Sequence, residues 1–145
     1  MPVSGFSSIG DQLTFALLSG DFDRYREIIE LPLTIVPTDE SPYTLSDETA
    51  LKRDFQLYHS VLKLHGVTDI FREVRNVIEQ PGGVYRIQCR VHMMVRANRI
   101  ADPFQSEMLI RERGGQWRIL EIRSLAAHID WARGGHGPGQ DFLKR

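Results

Sequence analysis

The segment YRIQCRVHMMVRA, residues 85–97, decides how the rest of the chain is read. Tyr85, Ile87, Cys89, Val91, Met93, Val95 and Ala97 alternate with Arg86, Gln88, Arg90, His92, Met94 and Arg96. One row is apolar and the other mostly polar, the period-two pattern of a strand with one buried face. It is the centre of a longer stretch, Thr68 to Ser124, that reads as three or four long strands joined by tight glycine turns.

Working outward, Asp69 to Glu79 is the preceding strand, with Ile70, Val74 and Ile78 on one row together with Arg72 and Asn76. Pro81-Gly82-Gly83 turns it into the central strand. Asn98 to Pro103 turns the chain again, and Phe104 to Arg113 is another strand. Gly114-Gly115 marks a two-residue hairpin, and Gln116 to Ser124 returns with Trp117, Ile119, Leu120 and Ile122 as its apolar members.

Upstream the period lengthens. Ser46 is a good N-cap, and Asp47 and Glu48 complement the positive end of a helix that Gly66 closes. Leu51, Phe55, Tyr58, Leu62 and His65 form its inward stripe, widened by Leu57, Val61 and Leu64. At about 1.5 Å per residue such a helix crosses a small sheet. Ser7 or Ser8 can cap a first helix carrying Ile9, Leu13, Ala16 and Leu17, with Gly20 as its stop. Asp21 then caps a short second helix that Pro32 ends. Leu33 to Val36 reads as a strand near a sheet edge, because Pro32 and Pro37 flank it. Thr38 to Pro42, with Asp39, is a turn, and Tyr43-Thr44-Leu45 a brief second strand. Ala126 to Ala132 suggests a helical turn. The domain is expected to span residues 1–133, with 134–145, rich in Gly and Pro, as a flexible tail.

A length of 145 residues suits one domain with its own core. The formal charge of -1 gives no global attraction to nucleic acid or anionic lipid. The lone Cys89 allows no intrachain disulfide and suits a reducing compartment. No signal peptide or membrane span is expected, so the cytoplasm is the expected location. The five histidines, His59, His65, His92, His128 and His136, lack close ligand spacing, so neither a metal nor a cofactor is expected. Gly134 to Gly139 lacks the Lys-Ser/Thr and the strand-loop-helix context of a phosphate loop.

Two short helices, a short strand, one long helix and a run of long strands resemble the NTF2-like superfamily. Ser19-Gly20-Asp21-Phe22-Asp23 is similar to the small-Gly-Asp step after its first helix, and Gly115-Gln116-Trp117-Arg118-Ile119 to its Gly-x-Trp-x-Ile ending. The resemblance covers roughly residues 6 to 125. It implies an α+β cone: a curved antiparallel sheet wrapped on the long helix, a pocket between them, and homodimers through the sheet. Members include ketosteroid isomerases, a dehydratase, SnoaL-like cyclases and dioxygenase small subunits. The isomerase trio has no counterpart here, and the dehydratase set only loose ones, so the resemblance carries a fold and no enzyme's site.

Within that fold the expected occupant is a small, partly apolar, ring-sized molecule bearing a carboxylate or carbonyl. The expected lining is Tyr58, Leu62, Val74, Val91 and Trp117, with Arg72 and Asn76 as polar anchors. Tyr58 can offer a hydroxyl to a ligand; a core tyrosine bonded to backbone is the alternative. His92 can be a general base if its row lines a cleft; an outward histidine is the alternative. A buried Arg72 needs a partner, either a ligand carboxylate or Glu107 or Glu121 across the sheet. Cys89 reads as a small buried hydrophobe. Asp69 reads as a strand-end residue. The mixed charges of the polar row fit cross-strand ion pairs better than nucleic acid. Alternative functions are a cofactor-independent isomerase, dehydratase or cyclase, and a non-catalytic scaffold subunit with a filled cone.

Overall fold

A computed structural model describes residues 2–37, 40–99 and 102–124. The expected flexible tail, the helical turn at Ala126, and Asp39, His128 and His136 lie outside the described residues.

The architecture is α+β. In chain order it runs α1 (Pro2–Ser19), α2 (Phe22–Glu27), β1 (Ile29–Val36), β2 (Tyr43–Leu45), α3 (Glu48–Leu64), β3 (Asp69–Gln80), β4 (Val84–Val95), β5 (Asn98–Arg99), β6 (Phe104–Arg113) and β7 (Gln116–Ser124). The strands form one curved, unclosed seven-stranded sheet in the order β2-β1-β7-β6-β4-β3, with β5 paired to β4. All pairs are antiparallel except β1 with β7. The strand after the second helix therefore lies inside the sheet, one place from the edge, and β2 takes the edge.

Several boundaries depart from the sequence reading for local reasons. Helix α1 begins at Pro2, several residues before the serine caps; proline suits a first helical turn, where its missing N–H costs nothing. Helix α2 has its expected cap, Asp21 accepting from the Arg24 amide at 3.1 Å. It stops at Ile28, well before Pro32, and the chain turns directly into β1. Pro32 lies where the ladder between β1 and β7 breaks, between Ile29 and Thr34, so its absent N–H interrupts no regular pairing there. The cap of α3 is Asp47 rather than Ser46: its carboxylate accepts from the Ala50 amide at 2.8 Å.

One bulge on β3 has the largest consequence. Val74 pairs with Cys89 but Asn76 pairs with Gln88, leaving Arg75 as the extra residue. An extra residue reverses the in–out alternation beyond it. Ile70, Arg72 and Val74 therefore face inward with Val91 and Cys89, Val77 takes the inward place opposite Ile87, and Ile78 turns out and is exposed. A second shift on β7, beside Leu109 and Ile110, lets both Ile119 and Ile122 pair inward although they are three positions apart.

The core lies between the concave face and the helices. Phe6, Ile9, Leu13 and Leu17 of α1 and Leu51, Phe55 and Leu62 of α3 are buried against Ile87, Val91, Met93, Met108, Ile110 and Ile119 of the sheet. At one end of β4 and β7, Tyr85 and Trp117 pack together, and the indole lies against the bare backbone of α1, where a β-carbon on Gly5 would come within 2.6 Å of the ring nitrogen. None of the helices described is long and apolar enough to cross a membrane.

Candidate functional site

A hollow opens toward the other end of the sheet. Its walls are Leu13 and Leu17 of α1, Tyr25 of α2, Ile35 of β1, Tyr43 of β2, and Asp54, Phe55 and Tyr58 of α3. The sheet contributes Arg72, Val91, Met93, Phe104, Ser106, Met108 and Ile122. It has about 50 Å³ of space open to the centres of water molecules. At about 10–15 Å³ for each water, that holds roughly four waters, or a ligand of similarly few heavy atoms. The cone is thus largely filled, and a ring with substituents exceeds the hollow as it stands.

The polar groups of the hollow come from different elements. Tyr58 and Asp54 are four residues apart on α3 and share its inward face. Tyr43 donates its hydroxyl proton to Asp54 Oδ1 at 3.2 Å, tying edge strand β2 to the helix. Arg72 comes from β3. Its Nη1 donates to Thr14 Oγ1 at 2.6 Å and to the Gly10 carbonyl at 3.2 Å, both on α1. Thr14 in turn donates to the Ile70 carbonyl at 3.3 Å, so the helix holds the guanidinium in place. Among the described residues, no carboxylate lies within 4.0 Å of Arg72.

Electrostatics follow from burial. Tyr25 is pushed well above the ordinary tyrosine value by burial, with Asp54 adding to the effect. Tyr58 is raised chiefly by burial as well; Arg72 pulls it down and Asp54 pushes it up, so this phenol feels both charges of the hollow. Burial lowers the pKa of Arg72, and Tyr58 opposes that shift. The Cys89 thiol is pushed up to about 11 by burial, which fits an inert packing residue better than a nucleophile.

Of the residues expected to form the site, the structure brings Tyr58, Arg72 and Val91 to the hollow. Leu62 is packed in the core. Val74 and Trp117 are partly buried against that core, and neither borders the hollow. Asn76 is turned outward by the bulge and donates to Gln88 Oε1 at 3.3 Å, so it anchors nothing in the cone. His92 stands on the outer face, with Nε2 3.5 Å from Glu73 Oε1 and its ring 5.5 Å from Phe71. It has no access to the hollow from there. The expected tie between Arg72 and Glu107 or Glu121 is made instead by Arg86, at 2.8 and 3.5 Å.

Asp54, Tyr43, Tyr25 and Ser106 were not anticipated. Asp54 had a legible signal: it falls three residues after Leu51 and four before Tyr58, a carboxylate inside an otherwise apolar helical stripe. Tyr43 had none, since only the pairing of β2 with β1 carries it over the hollow. Among the described residues no cluster of three or more His, Cys, Asp or Glu side chains is arranged to hold a metal.

No protein-family model matches the chain, and no curated protein matches it. Solved structures do. An NTF2-like protein of unknown function from Shewanella oneidensis MR-1 superposes with a TM-score of 0.60 at 13% identity, over 86% of this chain and 98% of that one. A candidate dehydratase of the NTF2-like family from Streptomyces avermitilis gives 0.61 at 11% identity, over 85% and 94%. An NTF2-like protein of unknown function from Pseudomonas putida KT2440 gives 0.59 at 9% identity, over 85% and 84%. The fold is therefore that of the NTF2-like proteins. At such identities the likeness shows the fold alone, and the chemistry rests on the residues of this hollow.

Proposed function

We propose that this protein binds a small, partly apolar molecule bearing a carboxylate or carbonyl in the hollow of the cone. The observation that carries the reading is Arg72, a cation on the wall of an apolar hollow that donates to two neutral oxygens, Thr14 Oγ1 and the Gly10 carbonyl. Asp11 and Asp69 act on this guanidinium through space but lie beyond ion-pair distance, and an anionic or strongly accepting ligand oxygen supplies a direct charged partner. Tyr58 adds a phenol to the same lining. Native mass spectrometry of protein purified from its own host tests this directly. A retained small molecule, lost in Arg72→Met, supports the proposal; a bare protein that also binds no small acid or ketone in titration sinks it.

The same reading places the protein in the cytoplasm as a homodimer joined through the outer face of the sheet. Half-buried charges such as Arg86, Glu121 and Glu30 on that face support the second part. Sedimentation equilibrium returning a monomer would remove it.

A cofactor-independent isomerase, dehydratase or cyclase is the second reading, and Asp54 favours it. A carboxylate held by a phenol beside an apolar hollow can take a proton from carbon next to a carbonyl, while Arg72 or Tyr58 meets the oxygen that gains charge. Proton exchange of a small ketone in heavy water, followed by NMR, distinguishes this reading from binding alone. Exchange no faster than in buffer counts against it.

A further inference from the structure

Near the β6–β7 turn the outer face of the sheet gathers three guanidiniums. Arg111 and Arg118 are directly opposite each other in the β6–β7 register, so their side chains leave the same face. Arg113 follows on that row of β6, opposite Gln116. Like charges placed directly opposite are destabilising. Glu30 reaches over from β1, on the other side of β7, and takes Arg111 and, at 3.7 Å, Arg113. Arg118 has no carboxylate within 4.0 Å among the described residues. Its Nη2 donates to the neutral Gln116 Oε1 at 3.1 Å. The Nε atoms of Arg111 and Arg118 are both buried without a hydrogen-bond partner, so neither guanidinium is satisfied within the chain. Glu112 belongs to the other row, opposite Trp117, and joins no ion pair among the described residues. Three cations and one carboxylate leave this corner of the face with a local charge of +2.

From this we propose that the cluster binds a single phosphate group, as inorganic phosphate or the head of a small phosphate monoester, lying across Arg111 and Arg118 with Arg113 beside it. The physical reason is charge and geometry together. A phosphate group carries a charge of about -1.5 to -2 at pH 7 and several strong acceptor oxygens, which matches the local surplus; a carboxylate offsets only half of it. Opposed residues of antiparallel strands stand about 4.5–5.5 Å apart at their α-carbons, so two planar guanidiniums can each meet a different oxygen of one tetrahedral group. A longer polyanion is disfavoured, because the same face continues into Glu107 and Glu121 around Arg86. The site lies on the side of the sheet away from the hollow and does not depend on the binding reading above.

The test is calorimetric titration of the full chain with inorganic phosphate, methyl phosphate and acetate at matched ionic strength, repeated in Arg72→Met so that the hollow has lost its cation. In both proteins at least one phosphate probe should saturate and bind about tenfold or more tightly than acetate. Inorganic phosphate binding alone identifies the free ion as the form the site takes; methyl phosphate binding as well or better identifies an ester. Gln116→Glu keeps every cation but hands Arg118 a carboxylate, and should weaken phosphate binding about tenfold. Arg118→Met should do the same, and Gln116→Glu covers the case in which that variant does not fold. Lys63→Met, which removes a cation from α3, should change nothing. Phosphate binding no tighter than acetate overturns the proposal. So does an equal loss in Lys63→Met, which would make the effect one of net charge, or a loss in Arg72→Met, which would give the phosphate to the hollow. A dimer that Arg118→Met dissociates, with no phosphate bound by the native protein, also overturns it and hands the cluster to a carboxylate of a second copy.

Discussion

On the outer face of the sheet Arg86 lies between Glu107 and Glu121, and on the inner face Arg72 lies between a hydroxyl and a carbonyl. Both are half-buried arginines on long strands of the same sheet. Outside, the charges close on each other. Glu107 is only 8% exposed, yet one oxygen accepts from Arg86 at 2.8 Å and the other from Gln88 at 3.0 Å. Glu30 likewise takes Arg111 and Arg113. Inside, the cation is held by neutral groups and its field points into a hollow. The difference teaches that a charge on a sheet carries functional information through the charge of its partners, and much less through its own burial.

The comparison can be broken by experiment, and the largest expected effect is on the outer face. Arg86→Met leaves the shielded Glu107 carboxylate without its cation. Breaking such a pair from one side costs about 3–5 kcal/mol when fully buried, and urea unfolding should show a loss approaching the lower figure. A loss under about 0.5 kcal/mol, the level of an exposed pair, would mean that the outer network is ornamental.

Next in size is the alkaline limb of stability. Tyr25 and Tyr58 have folded pKa values raised above the ordinary value of 10.0 by burial. Above pH 10 the unfolded chain loses phenolic protons that the folded chain keeps, so stability is intact below that pH and falls as pH rises through it. Each such tyrosine contributes a slope of up to about 1.4 kcal/mol per pH unit. Absorbance of the phenolate at alkaline pH should therefore rise together with loss of far-UV circular dichroism. The chain has four tyrosines, so three or more phenols ionising ahead of that loss, with the fold intact, would contradict a buried inner face. Tyr25→Phe should flatten the slope.

Arg72→Met should cost less than Arg86→Met, about 1 kcal/mol, because it deletes two hydrogen bonds but also relieves a desolvated charge. Ligand binding is where its effect should be large. A stability loss equal to that of Arg86→Met would erase the distinction between the two faces. The smallest effects belong to the two outward residues first nominated for the site. Asn76→Ser and His92→Gln should each change stability by less than about 0.5 kcal/mol, the usual range for surface positions, and leave ligand affinity unchanged. Any marked loss of affinity would place one of them nearer the hollow than the bulge allows.

Asn76 and Arg72 show how far the residues could be read in advance. Both sit on a row that alternates cleanly in sequence, and up to Val74 the alternation is obeyed. One unpaired residue, Arg75, then reverses the phase. Nothing about Arg75 itself announces a bulge, because the extra residue is defined by the partner strand. Asp54, by contrast, was legible from helical spacing alone, since α3 is regular from its Asp47 cap to its end. Tyr43 and Ser106 reach the hollow through pairing with a neighbouring strand, which the pattern within their own segments does not encode.

By itself, the chain's hydrophobic periodicity determined the class of fold, the long helix, the long strands and their glycine turns, because these depend on neighbours a few residues apart. The tertiary structure alone decided which arginine meets a carboxylate, where the sheet changes phase and which tyrosines crowd Asp54. Those are contacts between strands and helices far apart in the chain, and a single extra residue in one strand is enough to redirect them.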